Sequence, residues 1–214
     1  MPTTVRTDPS RVLSPVLPAY DRGATSYDSR TGLFASYRRR LVDLLPLRAG
    51  DVVLDVGCGT GLCFARIEER IGPGGRIVGV DSAPRMLDLA AKRAAAHGWH
   101  NVLGIEAPAA EAELPTVDHV LFCAVHDVLQ SPAALDNVLA AVRPGGTVAA
   151  GGGKWAPGWA LAVNAAVFAL HAPYVTSLQG FGRPWALLAE RVPDLAVQEV
   201  AMGGGYLARG RLPA

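Results

Sequence analysis

The sequence predicts a doubly wound α/β fold, a mostly parallel sheet with helices on both faces, and three observations carry that prediction. Strand-length apolar runs alternate with helical stretches from residue 52 to residue 150. The run Val53-Leu54-Asp55-Val56 leads straight into Gly57-Cys58-Gly59-Thr60-Gly61, a strand followed by a turn almost stripped of side chains. A second apolar run, Ile77-Val78-Gly79-Val80, ends at Asp81, where an acid can grip a ribose diol.

Composition limits the rest. Of 214 residues, 50% are hydrophobic and 18% charged, with a formal net charge of +1. Such a chain suits one domain with a core rather than a disordered segment, and a chain of this length buries roughly 70% of its unfolded surface. No basic stripe of the kind nucleic acid demands is visible. Arg38-Arg39-Arg40 is the one cluster, and three consecutive helical residues splay around the axis. Cys58, Cys63 and Cys123 lack zinc spacing and are odd in number, so no metal is expected and a reducing cytoplasm fits. The N-terminus shows no apolar leader core. The longest apolar helical stretch, Trp159 to Leu170, is too short to span a bilayer and contains Asn164.

In chain order, residues 1–19 are punctuated by Pro and Ser and read as a loose N-terminal arm, with residues 20–214 as a single domain. Leu33, Tyr37, Leu41, Leu44 and Leu45 have helical spacing and predict a helix beside the sheet. Strands follow near 52–56, 76–80, 102–105, 118–122 and 146–150, with helices over 61–71, 84–97 and 131–142. Pro84 stands at a helix's first turn, where its missing N–H costs little. Residues 106–116, nearly all Glu, Ala and Pro, replace a third crossover helix with an irregular link. After Gly153 the texture turns to Trp, Ala, Val and Phe, broken again at 180–184. A helix over 184–191 and strands near 195–201 and 205–209 close the chain, with Gly203-Gly204-Gly205 marking an antiparallel hairpin.

The glycine turn argues for a particular ligand. A dinucleotide fingerprint is G-x-G-x-x-G, whereas here Gly57, Gly59 and Gly61 are followed by Leu62. A dinucleotide also brings a pyrophosphate, which Asp55 at the strand end would repel. The same carboxylate suits an ammonium or sulfonium group. S-adenosylmethionine carries both, together with a ribose for Asp81. The residues thus point to a methyl donor. An NAD-dependent oxidoreductase is the alternative that Leu62 and Asp55 disfavour, and a same-fold cofactor-binding protein without methyl transfer is the other.

Residues 53–61, Val80-Asp81-Ser82-Ala83-Pro84-Arg85-Met86-Leu87 and Val142-Arg143-Pro144-Gly145-Gly146-Thr147 together resemble class I S-adenosylmethionine-dependent methyltransferases. The likeness is to the small-molecule branch, which includes quinone-ring and lipid amine methyltransferases, and runs from about Tyr20 to Gly151. It implies a Rossmann-like, mostly parallel seven-stranded sheet with an antiparallel last strand. It also implies a cofactor set. Asp55 stands at the methionine end, Gly57, Cys58, Gly59 and Gly61 in the turn, Asp81 and Ser82 at the ribose, Met86 against adenine, and Cys123 at the fourth strand's end. Tyr20 and Tyr27, each followed by Asp, resemble pairs that cap the cofactor. The acid that usually follows the third strand is replaced by Ala110, which leaves Glu111 or a backbone carbonyl for the adenine amine.

Catalysis is expected just past the fourth strand, at His126 and Asp127. The carboxyl ends of parallel strands face the ligand in open sheets. Imidazole titrates near neutrality, as a base acting on a phenol, enol or ammonium requires. The other reading of His126 is a hydrogen-bonding wall residue. The quinone-ring branch carries Arg-Asn here, so that likeness stops short of the substrate. Residues 154–185 read as an acceptor cap, with Trp155, Trp159, Phe168, Tyr174, Phe181 and Trp185 walling an apolar cavity and Asn164 and His171 as polar points. A homodimer contact and a transient membrane-surface contact are the other uses of so apolar a stretch. The expected acceptor is a small lipophilic molecule: a quinone, a phenol or a lipid head group.

Overall fold

A computed structural model of the chain describes residues 3–6, 28, 32–172 and 175–214. Its strands are β1 (Thr3–Arg6), β2 (Val52–Val56), β3 (Arg76–Asp81), β4 (Val102–Glu106), β5 (Val117–Cys123), β6 (Val142–Gly153), β7 (Ala196–Val200) and β8 (Gly205–Arg211). They pair in the order β1-β4-β3-β2-β5-β6-β8-β7. Pairing is parallel from β1 through β6, and β8 runs antiparallel to both β6 and β7. The helices are α1 (Ala35–Asp43), α2 (Phe64–Ile71), α3 (Pro84–Ala96), α4 (His126–Leu129), α5 (Pro132–Ala140), α6 (Leu161–His171) and α7 (Ala186–Arg191). This is the doubly wound class that the sequence predicts, with its antiparallel last strand.

Strand alternation produces the layers, because successive side chains of a strand point to opposite faces. Val53, Ile77, Leu121 and Ala149 pack with Leu41 of α1, Phe64 and Ile67 of α2, and Leu87 of α3. Their neighbours Leu54, Val78, Val120 and Val148 pack on the other face with Leu135 of α5 and Leu188 of α7. Helix ends follow from local chemistry. Gly72 stops α2 at φ +65, and the Asn101 side-chain amide donates to the carbonyls of Gly72 and Gly75 at 3.1 and 3.0 Å. Ser131 caps α5 by accepting from the Ala134 N–H at 3.2 Å, with Pro132 at the first helical position. The irregular link before β5 is held by Asn137, whose amide donates at 2.9 Å to the carbonyls of Ala109 and Ala112.

Two features go beyond the sequence prediction. Seven strands are those expected. The eighth, β1, belongs to the arm read as loose: β-branched Thr3, Thr4 and Val5 extend along β4, from Thr3 opposite Leu103 to Arg6 opposite Glu106. That strand covers an edge of β4 which would otherwise stand open. The rest of the arm, with Tyr20 and Tyr27, lies outside the described residues. The second feature is α6, apolar on nearly every side yet buried only at Val167. Trp159 just ahead of it is 81% exposed and Leu161 is 74% exposed. Among the described residues no helix is long and apolar enough to cross a membrane.

β2 lies between β3 and β5, so the chain leaves it toward one neighbour and returns on its other side. Ligands of open parallel sheets bind in the crevice at such a reversal. Here that crevice opens between the glycine turn after β2 and Val125-His126 after β5.

Candidate active site

The glycine turn has the torsions that its composition allows. Gly57 sits at φ +62, and a Cβ there would come within 2.5 Å of Val125 Cγ1, so both conformation and space require glycine. Gly59, at φ +55, differs: a Cβ added there meets nothing within 4 Å. It opens onto a cavity of about 690 Å³ that Asp55, Gly57, Cys58, Gly59, Cys123 and His126 line. Tyr37 of α1, Val163, Val167 and Leu170 of α6, and Phe181 complete much of the apolar wall.

Asp55 is 1% exposed, and neither carboxylate oxygen has a hydrogen-bond partner. Burial, reinforced by the charge of Asp81, pushes its carboxyl up to about 8. A buried carboxylate without a partner is costly. A cation arriving in the cavity would supply the missing partner, which is the fit that an ammonium or sulfonium group requires. Asp81, at the end of β3, accepts from the Gly59 N–H and from the Ala83 N–H, both at 2.8 Å. The acid expected at a ribose is therefore joined to the middle of the glycine turn.

The other residues of the expected cofactor set divide. Cys58 and Cys123 line the cavity with Asp55. Burial and the nearby acids push the Cys58 thiol up, so it stays protonated and inert. Gly61 folds over the Phe64 ring, which a Cβ there would strike at 2.7 Å. Met86 is buried in the first turn of α3, and Asp81, Ser82 and Glu111 stand outside the cavity lining. Among the described residues no group of three His, Cys, Asp or Glu is gathered to hold a metal ion.

His126 stands where the sequence places it, at the start of α4, aimed there by an unusual backbone. Ala124 has φ +58, a left-handed conformation that L residues rarely adopt, and its N–H donates to the Gly151 carbonyl at 2.7 Å. His126 Nε2 lies 2.9 Å from the Gln179 carbonyl, so the tautomer that donates there leaves Nδ1 as an acceptor. Nδ1 is buried without a partner. Desolvation lowers the pKa below its ordinary 6.5, which keeps the ring neutral. Phe181 packs edge-on to it at 4.8 Å between ring centroids. His126 also borders a second, more polar cavity of about 750 Å³, shared with Asp127, Gln130, Thr176, Gln179 and Arg183. The Asp127 carboxylate, next to His126 in sequence, accepts from the Thr176 N–H at 3.0 Å and anchors that loop.

The aromatic wall differs from the expectation. Of the six aromatics named, Phe181 lines the Asp55 cavity, Tyr174 lies outside the described residues, and the others are not in the lining. Trp185 packs on Tyr206 in the core instead, and Trp159 faces outward. Asn164 is used internally, accepting from the Ala156 N–H at 2.8 Å, whereas His171 does border the cavity. Aliphatic residues of α6 form the wall because this helix lacks a polar face that would fix its rotation by sequence. Tyr37 is a site residue that sequence reading assigned to helix packing alone. Its buried hydroxyl donates to the Tyr206 carbonyl at 2.5 Å.

Residues 53–146 match the family model described as a methyltransferase domain. The chain is 39% identical over 89 residues to the aklanonic acid methyltransferase DauC of Streptomyces sp. strain C5, covering 41% of this chain and 40% of that protein. It is 37% identical over 139 residues to a malonyl-[acyl-carrier protein] O-methyltransferase of Serratia marcescens, covering 62% of this chain and 50% of the relative. The matches thus span half or less of these two relatives' length. A SAM-dependent methyltransferase from Aquifex aeolicus shares the fold with a TM-score of 0.67 at 17% identity, over 90% of this chain and 98% of that one. Residues 53–146 are accordingly similar to a methyltransferase domain, on a Rossmann-like fold shared with solved S-adenosylmethionine-dependent methyltransferases.

Proposed function

We propose that the chain transfers the methyl group of S-adenosylmethionine to a small apolar acceptor held in the cavity beside Asp55. The observation that carries this reading is the pairing of the buried, unpartnered Asp55 carboxyl with an aliphatic wall from α6 around one cavity of about 690 Å³. When bound, the donor supplies a methyl carbon already activated by its sulfonium. The protein's own tasks are to bind, align and exclude water. Asp55 meets the cationic methionine end, the turn at Gly59 lets the backbone come close, and Asp81 accepts from the ribose hydroxyls. Residues 154–185 serve as the acceptor cap, with Val163, Val167, Leu170 and Phe181 excluding water.

Where the acceptor is a phenol or enol, His126 takes its proton at the free Nδ1. A quinol-type or phenolic molecule suits this wall better than a lipid head group, because apart from Asp55, Arg38, His126 and His171 the side chains lining the cavity are mainly apolar. The three cysteines are unbridged, which fits a reducing cytoplasm.

Calorimetric titration with S-adenosylhomocysteine and with NAD tests the donor. Binding of the first and not the second is expected, and the reverse would sink the proposal. Incubation with donor and a panel of phenols and quinols, read by mass spectrometry as a gain of one methylene, tests the acceptor. Donor binding with no methylated product from any acceptor or extract would return the chain to a cofactor binder.

A further inference from the structure

Two charged side chains outside the cavity wall, Asp28 and Arg93, converge on the glycine turn at Thr60. Thr60 is the single residue between Gly59 and Gly61, and both of its polar handles are engaged. Its hydroxyl donates to Asp28 Oδ1 at 2.6 Å, and its carbonyl accepts from Arg93 Nε at 2.8 Å. Arg93 Nη2 closes the triangle by pairing with Asp28 Oδ2. The three residues come from distant parts of the chain: one ahead of α1, one in the turn after β2, and one in α3. Thr60 itself is 1% exposed and lines the donor cavity, whereas the Arg93 and Asp28 side chains keep 25% and 44% of their surface in water.

We propose that Asp28, Thr60 and Arg93 form an ionic latch on the donor site, closed while the donor is held and opened for it to enter and leave. Closed, the latch fixes the Thr60 peptide and with it Gly59, whose N–H is held by Asp81. The turn is then clamped from both sides. Opening requires only that a water-accessible ion pair and a hydroxyl contact separate, while the apolar packing under α2 and α3 stays intact. An ion pair with this much exposure is screened by salt, so release should respond to ionic strength. This inference rests on the donor reading of the glycine turn. Asp28, Thr60 and Arg93 are positioning residues, since they act on the donor through the turn.

The test has two arms. In the first, hydrogen exchange of residues 57–63 is followed with no ligand present. Asp28→Asn and Arg93→Gln should raise exchange there, whereas Thr60→Ser should leave it as in the wild type. In the second, stopped-flow dissociation of S-adenosylhomocysteine is measured at 0.05 and 0.5 M salt. Release should be at least fivefold faster in Asp28→Asn, Arg93→Gln and Thr60→Val, with association within twofold, and Thr60→Ser should restore the wild-type rate. Salt should speed release from the wild type and leave Asp28→Asn unchanged. Release within twofold of wild type in the Asp28 and Arg93 variants overturns the latch, whether or not exchange rises. A wild type that binds no S-adenosylhomocysteine, with exchange still raised in the variants, overturns the donor reading and leaves the clamp on the turn standing.

Discussion

Gly59 and Asp81 are joined by a 2.8 Å hydrogen bond, the backbone N–H of the one donating to Oδ2 of the other. Two strand ends that the sequence separates by a whole helix therefore form one rigid lip of the crevice. The acid orders the turn through that bond, and under the proposed donor reading it also meets the ribose, so its loss should be felt twice.

Asp81→Ala is expected to weaken S-adenosylhomocysteine binding at least tenfold, on the scale of lost charge-assisted hydrogen bonds. Calorimetry reads this directly. Unchanged affinity would place the ribose elsewhere.

Gly59→Ala separates ligand space from folding. The added methyl meets no protein atom within 4 Å, so the fold should lose only the cost of a left-handed alanine, about 1–2 kcal/mol. Donor binding should fall at least tenfold, because that methyl enters the volume the donor needs. Gly57→Ala, pressed to within 2.5 Å of Val125, should instead lower the melting temperature much further. Equal melting temperatures for the two variants would contradict this geometry.

Asp55 couples stability and binding to pH in opposite senses. Its folded-state pKa, about 8, stands above the ordinary 3.8. The native state keeps a proton that the unfolded chain releases, so stability is complete below the unfolded pKa and falls as pH rises toward about 8. The slope is about 1.4 kcal/mol per pH unit. Asp55→Asn removes that slope and should melt higher than the wild type above pH 7. A cationic donor demands the ionised form, so binding near neutrality should release up to one proton. Calorimetry in buffers of different ionisation enthalpy measures that release. A variant melting below the wild type at pH 8 would argue against a neutral Asp55 in the free protein.

His126→Ala should lower methyl transfer about a hundredfold or more, within the usual range for a general base, while S-adenosylhomocysteine affinity stays within twofold. Because burial holds the imidazole below its ordinary 6.5, the wild-type rate at saturating donor should stay level as pH falls to that value and decline only beneath it. Parallel losses in rate and affinity would make His126 a wall residue instead.

The glycine-turn side of the cavity was legible because it is local. Val52–Val56, the glycine spacing and Asp81 lie in short runs whose period and torsions admit few readings, and β2 begins and ends where the pattern places it. The latch was not legible, since its contacts join residues 32, 33 and 65 apart and no periodic signal links them. Ala124 gave no sign of its left-handed torsion, because alanine carries no preference for it. The cavity wall departs from the expected aromatics for another reason. A helix apolar all round offers periodicity no face to choose, and packing turned Val167 inward while leaving Phe168 51% exposed.

Lysine occurs at only two positions of this arginine-rich sequence, 92 and 154. Lys154 is 4% exposed, with its ammonium donating to the carbonyls of Trp155 and Gly203 and paired with Glu199 at 3.0 Å. Lys92 lies exposed on α3, one residue before Arg93. Amine-directed reagents should therefore find a single reactive side chain, next to the latch, and a fluorophore attached there would watch that corner without a cysteine being introduced. Labelling that appears at Lys154 would report that the corner joining β6 to the final hairpin has come apart.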